Sequence, residues 1–289
     1  MQPLNCILVV IDPKLTENLA LKRARLIAGV SRARLHLLVC DSRPEHANYL
    51  NELRLELEAQ GHHITTQQAW HNNQHQTIIA TQQAEGCGLV IKQHQPDSPL
   101  KRALLTPEDW KLLRYCPCPV LMVKTEAPWT GGNVLAAVDV GNADSEHRRL
   151  HSSIVNHGFQ IAQLAEGTLH VISAHPSAML SAADPAFQLK ETIEARYRNA
   201  CQQFQAEFHI TDDRMHIKEG PADALVPHVC HQLQAVVTVI GSVARTGLSG
   251  ALMGNTAEVV LDALESDVLV LKPDDVIEHL EQLVDHHTH

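Results

Sequence analysis

A chain of 289 residues, 44% of them apolar, is long enough for two domains that each bury a core. Three Trp, three Tyr, four Phe and a formal net charge of -10 exclude an aromatic base-stacking platform and a phosphate-backbone binder, so no nucleic-acid partner is expected. No apolar run approaches the roughly 20 residues that cross a bilayer, which leaves a soluble, cytoplasmic chain without membrane attachment as the expectation.

The first predicted element is the strand "CILVVID" (from Cys6), six apolar residues closed by Asp12 and too short for a secretory signal. A helix follows from Thr16 to Val30, with Leu19, Leu26, Ile27 and Val30 assigned to its inner side, then the strand "RLHLLVCD" (Arg34 to Asp41). "HANYLNELRLELEAQG" reads as a helix with Leu50, Leu53 and Leu57 in a stripe and Gly61 as its stop. Next come the short polar strand "HITTQQ", an amphipathic run around Ile78 and Ile79, the strand "GLVIK", a helix at "EDWKLLRY" and the strand "PVLMVK" (Pro119 to Lys124). "TEAPWTGG" (Thr125 to Gly132) has linker composition.

The same order then recurs. "NVLAAVD" (Asn133 to Asp139) is a strand, residues 150–165 a helix, "TLHVIS" a strand and 185–208 a long helix. "MHIKEG", "AVVTVIG" and "DVLVLK" are further strands. Between them lie the proline-bearing helix "ADALVPHVCHQL" and the helix "TAEVVLDAL". An amphipathic tail starts at Asp274, with Ile277, Leu280 and Leu283 on one face. "LHLLV" matches "LHVIS", "LVIK" matches "TVIG" and "PVLMVK" matches "DVLVLK", which is an internal duplication. Continuous apolar strands alternating with helices mean parallel sheets covered on both faces. The boundary falls in the linker, giving domains 1–127 and 128–289.

Cysteines and histidines carry two further expectations. Seven scattered cysteines suit a reducing compartment, with Cys116 and Cys118 read as buried thiols beside a turn. The twenty histidines would carry the formal charge from -10 to +10 if all were protonated, so solubility and association should respond to mild acid. His62, His63, His71, His75 and His94 gather in the middle of the first half and His286, His287 and His289 at the end. His71 and His75 would share a helix face if that segment is helical. The plainer reading is solvated surface, so no metal ligand is assigned and zinc is not expected as a cofactor.

In "KEGPADALVPHVCHQL…VVTVIGS…GALMGNTAEVVLDALESDVLVLKP" the chain resembles the universal stress protein family, and as two copies it is most like the tandem, E-type branch. The resemblance implies a Rossmann-like α/β fold of the adenine nucleotide alpha hydrolase kind: two tandem doubly wound, mostly parallel, five-stranded sheets. It also implies an intramolecular pseudo-dimer through the closing strands, with a homodimer of whole chains left open, and a role in stress tolerance or regulation rather than turnover. ATP or another adenine nucleotide, with Mg, is the implied ligand of the second domain. By position Asp139 would meet the ribose or magnesium and Val171 the adenine edge. Gly241, Gly254, Asn255 and Thr256 would line the phosphates, and Arg245 would add a guanidinium.

Two residues depart from the family pattern: Ala244 stands at its second glycine, and Asn255 at its Ser or Thr. In the first domain Lys92, Gln95 and Thr106-Pro107 replace Gly241, Ala244 and Asn255-Thr256, so that domain is expected not to bind a nucleotide this way, and Asp12 reads as a strand-end cap. No P-loop, no Gly-x-Gly-x-x-Gly after either first strand and no Gly-x-Ser-x-Gly elbow occurs. No catalytic residue is therefore assigned, and any ATP hydrolysis would be slow. A nucleotide-free scaffold and a metal-binding stress protein are the alternatives.

Overall fold

A computed structural model describes residues 4–95, 105–141, 145–175, 190–242 and 255–285. The chain divides into two compact units, the first formed by residues 4–126 with 275–285 and the second by 127–242 with 255–274.

The first unit is a parallel sheet of β1 (Cys6–Ile11), β2 (Arg34–Cys40), β3 (Ile64–Ala69), β4 (Leu89–Gln93) and β5 (Val120–Val123), in the order β3-β2-β1-β4-β5. Its helices are α1 (Leu19–Ser31), α2 (Ala47–Ala59), α3 (Gln74–Ala84) and α4 (Pro107–Tyr115). All six residues of β1 are buried, which is why the strand reads as an unbroken apolar run. The order reverses between β1 and β4, so a crevice opens there at the carboxyl ends of the strands.

The second unit repeats this plan with β6 (Asn133–Ala137), β7 (Thr168–His175), β8 (Met215–Glu219), β9 (Ala235–Gly241) and β10 (Asp267–Leu271), in the order β10-β9-β6-β7-β8. Its helices are α5 (Ser145–Leu164), α6 (Lys190–Phe208), α7 (Ala222–Leu233) and α8 (Asn255–Ala263), and α9 (Asp274–Asp285) closes the described chain. The expected α/β class, parallel strands and five-strand units are all present. Among the described residues no helix is long and apolar enough to cross a membrane.

Several local expectations change. On α1 the buried side is Leu19, Ala20, Arg23, Ala24 and Ala28, whereas Leu26 and Val30 are exposed. Small alanines at i, i+4 spacing let the helix sit close to the sheet, and the bulkier apolar residues turn outward. On α9 the buried pair is Val276 and Leu280. His71 does not share a helix with His75: it lies in a bridge with Asn73, Asn72 takes φ 56°, and α3 begins only at Gln74. His75 is buried, and its Nδ1 lies 2.9 Å from Glu108. Within the linker-like segment, Trp129 is a core residue of the second unit, its Nε1 donating to Asp267 Oδ2 at 2.9 Å. Not all cysteines are thiols, since Cys6 and Cys87 are joined by a disulfide, while Cys116 and Cys118 are buried outside any disulfide, their Sγ atoms 3.6 Å apart.

Candidate functional site

In the second unit β6 and β9 are neighbours at the reversal of strand order, and both end in the crevice. Asp139 lies just past β6 and is exposed; its Oδ1 accepts from Gly141 N at 3.1 Å and its own N–H donates to His151 Nε2 at 3.3 Å. Val140 N donates to Ser173 Oγ at 3.3 Å. Tyr197 of α6 covers the same turn: a Cβ on Gly141 would lie 2.3 Å from its ring, so any larger residue there would have to displace the ring. The Tyr197 ring also lies 5.2 Å from that of His175 at the end of β7. Burial, and then the charge of Asp139, raise the Tyr197 phenol above its ordinary pKa. Burial, and then His147, lower His151 to about 4. It is therefore neutral at pH 7 and able to accept the Asp139 N–H.

Gly241 closes β9 beside this turn. A Cβ there would come within 2.8 Å of Leu150 and 3.1 Å of Ile154, both on α5. The glycine thus has a packing reason of its own in the approach of this helix to the sheet. Val171 is fully buried in β7, in register with Ala136 of β6 and Met215 of β8. It therefore lies inside the sheet, apart from the strand ends that bring Asp139 and Gly241 together. Asn255 and Thr256 open α8, whose amino end supplies backbone N–H groups. Arg245 and Gly254 lie outside the described residues.

The corresponding place in the first unit is built differently. Lys92, in β4, is buried and its Nζ contacts Asp109 Oδ1 at 2.5 Å. His94 Nδ1 lies 2.9 Å from the other carboxylate oxygen, and Asp109 is wholly buried. Burial alone would push this carboxyl up, but the hydrogen bond from His94 and the charge of Lys92 hold it well below the usual carboxylate range. Asp109 is also the third residue of a capping box: Thr106 N–H donates to its carboxylate, and its own N–H donates to Thr106 Oγ1. Pro107 supplies no donor at the first helical position. The Lys92 ammonium and the Asp109 N–H, which could otherwise meet a phosphate, are thus used within the chain.

Beside that cluster is a cavity of about 570 Å³, reached by Asp12, Lys14, Asn18, Cys40, Gln74 and Glu108 among others. Asp12 acts as the expected cap, accepting from Lys14 N at 2.9 Å and from Gln95 Nε2 at 2.7 Å. Burial pushes the Cys40 thiol up to about 12, so it offers no thiolate nucleophile. Asp41, Glu45 and His46 converge closely enough to hold a cation, but the Arg43 guanidinium already contacts Asp41 at 2.9 Å and Glu45 at 3.2 Å.

The Lys92–Asp109–His94 cluster was not foreseen from sequence as a unit. The readable sign was "TPED" (Thr106 to Asp109), a capping-box pattern with proline at the first helical position.

The Universal stress protein family profile matches this chain twice, over residues 5–124 and 132–272. The chain belongs to that family. Two copies account for both units and make it a tandem member. The Universal stress protein E of Salmonella typhi is 33% identical, over 93% of this chain and 94% of that protein. A putative universal stress protein from Pseudomonas aeruginosa UCBPP-PA14 is 64% identical, and its crystal structure matches with a TM-score of 0.92 over 98% of this chain and 99% of that one. A universal stress protein from Archaeoglobus fulgidus shares the fold at 16% identity, with a TM-score of 0.63 over 94% of this chain and 99% of that one.

Proposed function

We propose that this tandem universal stress protein is a cytoplasmic, non-catalytic stress-response protein that holds an adenine nucleotide with magnesium in its second unit. The observation that carries the reading is the contrast at equivalent strand ends: the first unit places Lys92 of a buried Lys–Asp–His cluster where the second has Gly241, and its Asp12 accepts from Gln95 where the second has the exposed Asp139. An exposed carboxylate at a strand end beside a helix amino terminus suits a magnesium-bound phosphate chain.

Calorimetric titration of Mg-ATP into the wild type, Asp139→Asn and Gly254→Arg tests this. Saturable heat is expected in the wild type, about tenfold weaker binding in Asp139→Asn, and none in Gly254→Arg. Equal heats in all three would overturn the reading. A second reading, a scaffold for another ligand, draws on the first unit's cavity of about 570 Å³. Lys92, Asp41 and Glu108 on its wall are already paired within the chain, so it suits a hydrogen-bonding molecule of low charge.

A further inference from the structure

The two repeats share a histidine, and they treat it differently. His36 in β2 and His170 in β7 occupy the same place in "LHLLV" and "LHVIS". His36 is satisfied by its neighbouring strand, with Nδ1 2.7 Å from Thr65 Oγ1 and Nε2 3.1 Å from Gln67 Oε1. Gln67 is in register with Leu38, two residues beyond His36. In the second unit the residue in register with Ile172, two beyond His170, is His216. The duplication thus puts an imidazole where the first repeat has an amide. His170 Nδ1 and His216 Nε2 lie 3.2 Å apart, with ring centroids 5.3 Å apart and planes 32° from each other.

From this geometry we infer that His170 and His216 form a two-imidazole site for a divalent transition-metal ion of the Zn²⁺ or Cu²⁺ kind. Two imidazole nitrogens about 2.0–2.1 Å from a tetrahedral ion lie about 3.3 Å from each other. The observed separation matches this spacing, and the ion would take the place of the proton that one ring now donates to the other. Neither histidine is fully buried, so water can fill the remaining positions. Burial lowers the pKa of both, with Arg214 adding to the effect at His170 and the partner ring and Lys218 adding to it at His216, while Asp213 opposes it at His170. Both rings are consequently neutral and able to act as ligands at pH 7. Arg214 and Lys218 repel a cation and Asp213 attracts one, so the site should be of modest affinity, with Cu²⁺ held more tightly than Zn²⁺. It lies near the amino ends of β7 and β8, away from the crevice, and stands apart from the nucleotide reading.

The test is equilibrium dialysis of the full chain against Zn²⁺ at pH 7.5, comparing the wild type with His216→Gln, which recreates the His36–Gln67 pair. Other histidines supply a background, so the reading is a difference: His216→Gln and His170→Gln should each bind one ion fewer per chain. Equal uptake in wild type and both variants would overturn the inference. A zinc-soaked wild-type crystal gives an answer that does not depend on either variant folding. An anomalous peak between the two rings supports the site, and the absence of a peak there at saturating Zn²⁺ refutes it.

Discussion

The two halves of the chain fold alike and spend their buried polarity differently. In the first unit Lys92, His94 and Asp109 are all buried and consume one another at the point where β4 gives way to α4. In the second unit the matching strand ends at Gly241, and the nearby carboxylate, Asp139, stays exposed. A duplicated fold thus supplies the same strand ends twice, and the side chains placed there decide whether buried charge is paired beside the crevice or kept out of it. The same holds at the opposite end of the sheet, where His36 faces Gln67 and His170 faces His216.

The largest expected effect breaks the buried cluster of the first half. Asp109→Ala removes the carboxylate that Lys92 and His94 share, leaving a buried cation without its partner. Breaking a buried pair from one side costs about 3–5 kcal/mol, so the urea midpoint should fall steeply. Asp139→Asn, exposed in the other half, should move it by less than about 0.5 kcal/mol. Similar losses in the two variants would show that the cluster is not what distinguishes the halves.

Acid should act on the second half through His151. Its pKa is lowered to about 4 by burial and then by His147, while an unfolded histidine titrates near 6.5. The unfolded chain therefore takes up a proton first as pH falls, so this contribution is complete above about 6.5 and is lost progressively towards 4. The loss amounts to about 3 kcal/mol. Urea denaturation at pH 7 and pH 4.5 measures it, and His151→Gln should flatten the slope. An unchanged slope in that variant would assign the acid sensitivity elsewhere. The twenty histidines do not behave as one population: His36, His151, His157, His170 and His216 all have lowered pKa values through burial, so the folded chain resists part of the charge swing that composition alone suggests.

Strand order and duplication were legible because continuous apolar runs such as "CILVVI" and "AVVTVIG" announce buried parallel strands. Lys92 at the Gly241 position was legible too, as a sign that the first crevice had changed. Its buried partners were not, since Asp109 is reached only by folding a helix back onto the strand. Periodicity misassigned Leu26 and Val30 because it cannot say which of two apolar stripes, alanine or leucine, faces the sheet. Gly241 was read for its bearing on a ligand, and the structure gives it a second reason that no local pattern carries, the approach of Leu150 and Ile154 from α5.

That second reason gives the next prediction. Gly241→Ala adds a methyl 2.8 Å from Leu150 Cδ2 and 3.1 Å from Ile154 Cδ1. Crowding of this kind costs about 1–3 kcal/mol. If packing is the whole reason for the glycine, Gly241→Ala should cost less in a Leu150→Ala background than in the wild type, because the nearest clashing atoms are then gone. A deficit in thermal stability that the second change leaves untouched would point back to the strand end itself.

The smallest effect sharpens the contrast at the helix starts. Thr106→Ala removes the hydroxyl that accepts from Asp109 N–H at 3.2 Å, while Pro107 and the Asp109 carboxylate stay in place. Loss of a cap of this kind costs about 1 kcal/mol. Here the capping carboxylate also belongs to the buried cluster, so the cost should depend on whether Lys92 is present. Measured in a Lys92→Met background, the penalty should differ from its wild-type value by more than about 0.5 kcal/mol, the margin within which independent sites add. Strict additivity in this double-mutant cycle would mean that helix cap and buried charge are separate features that only happen to share Asp109.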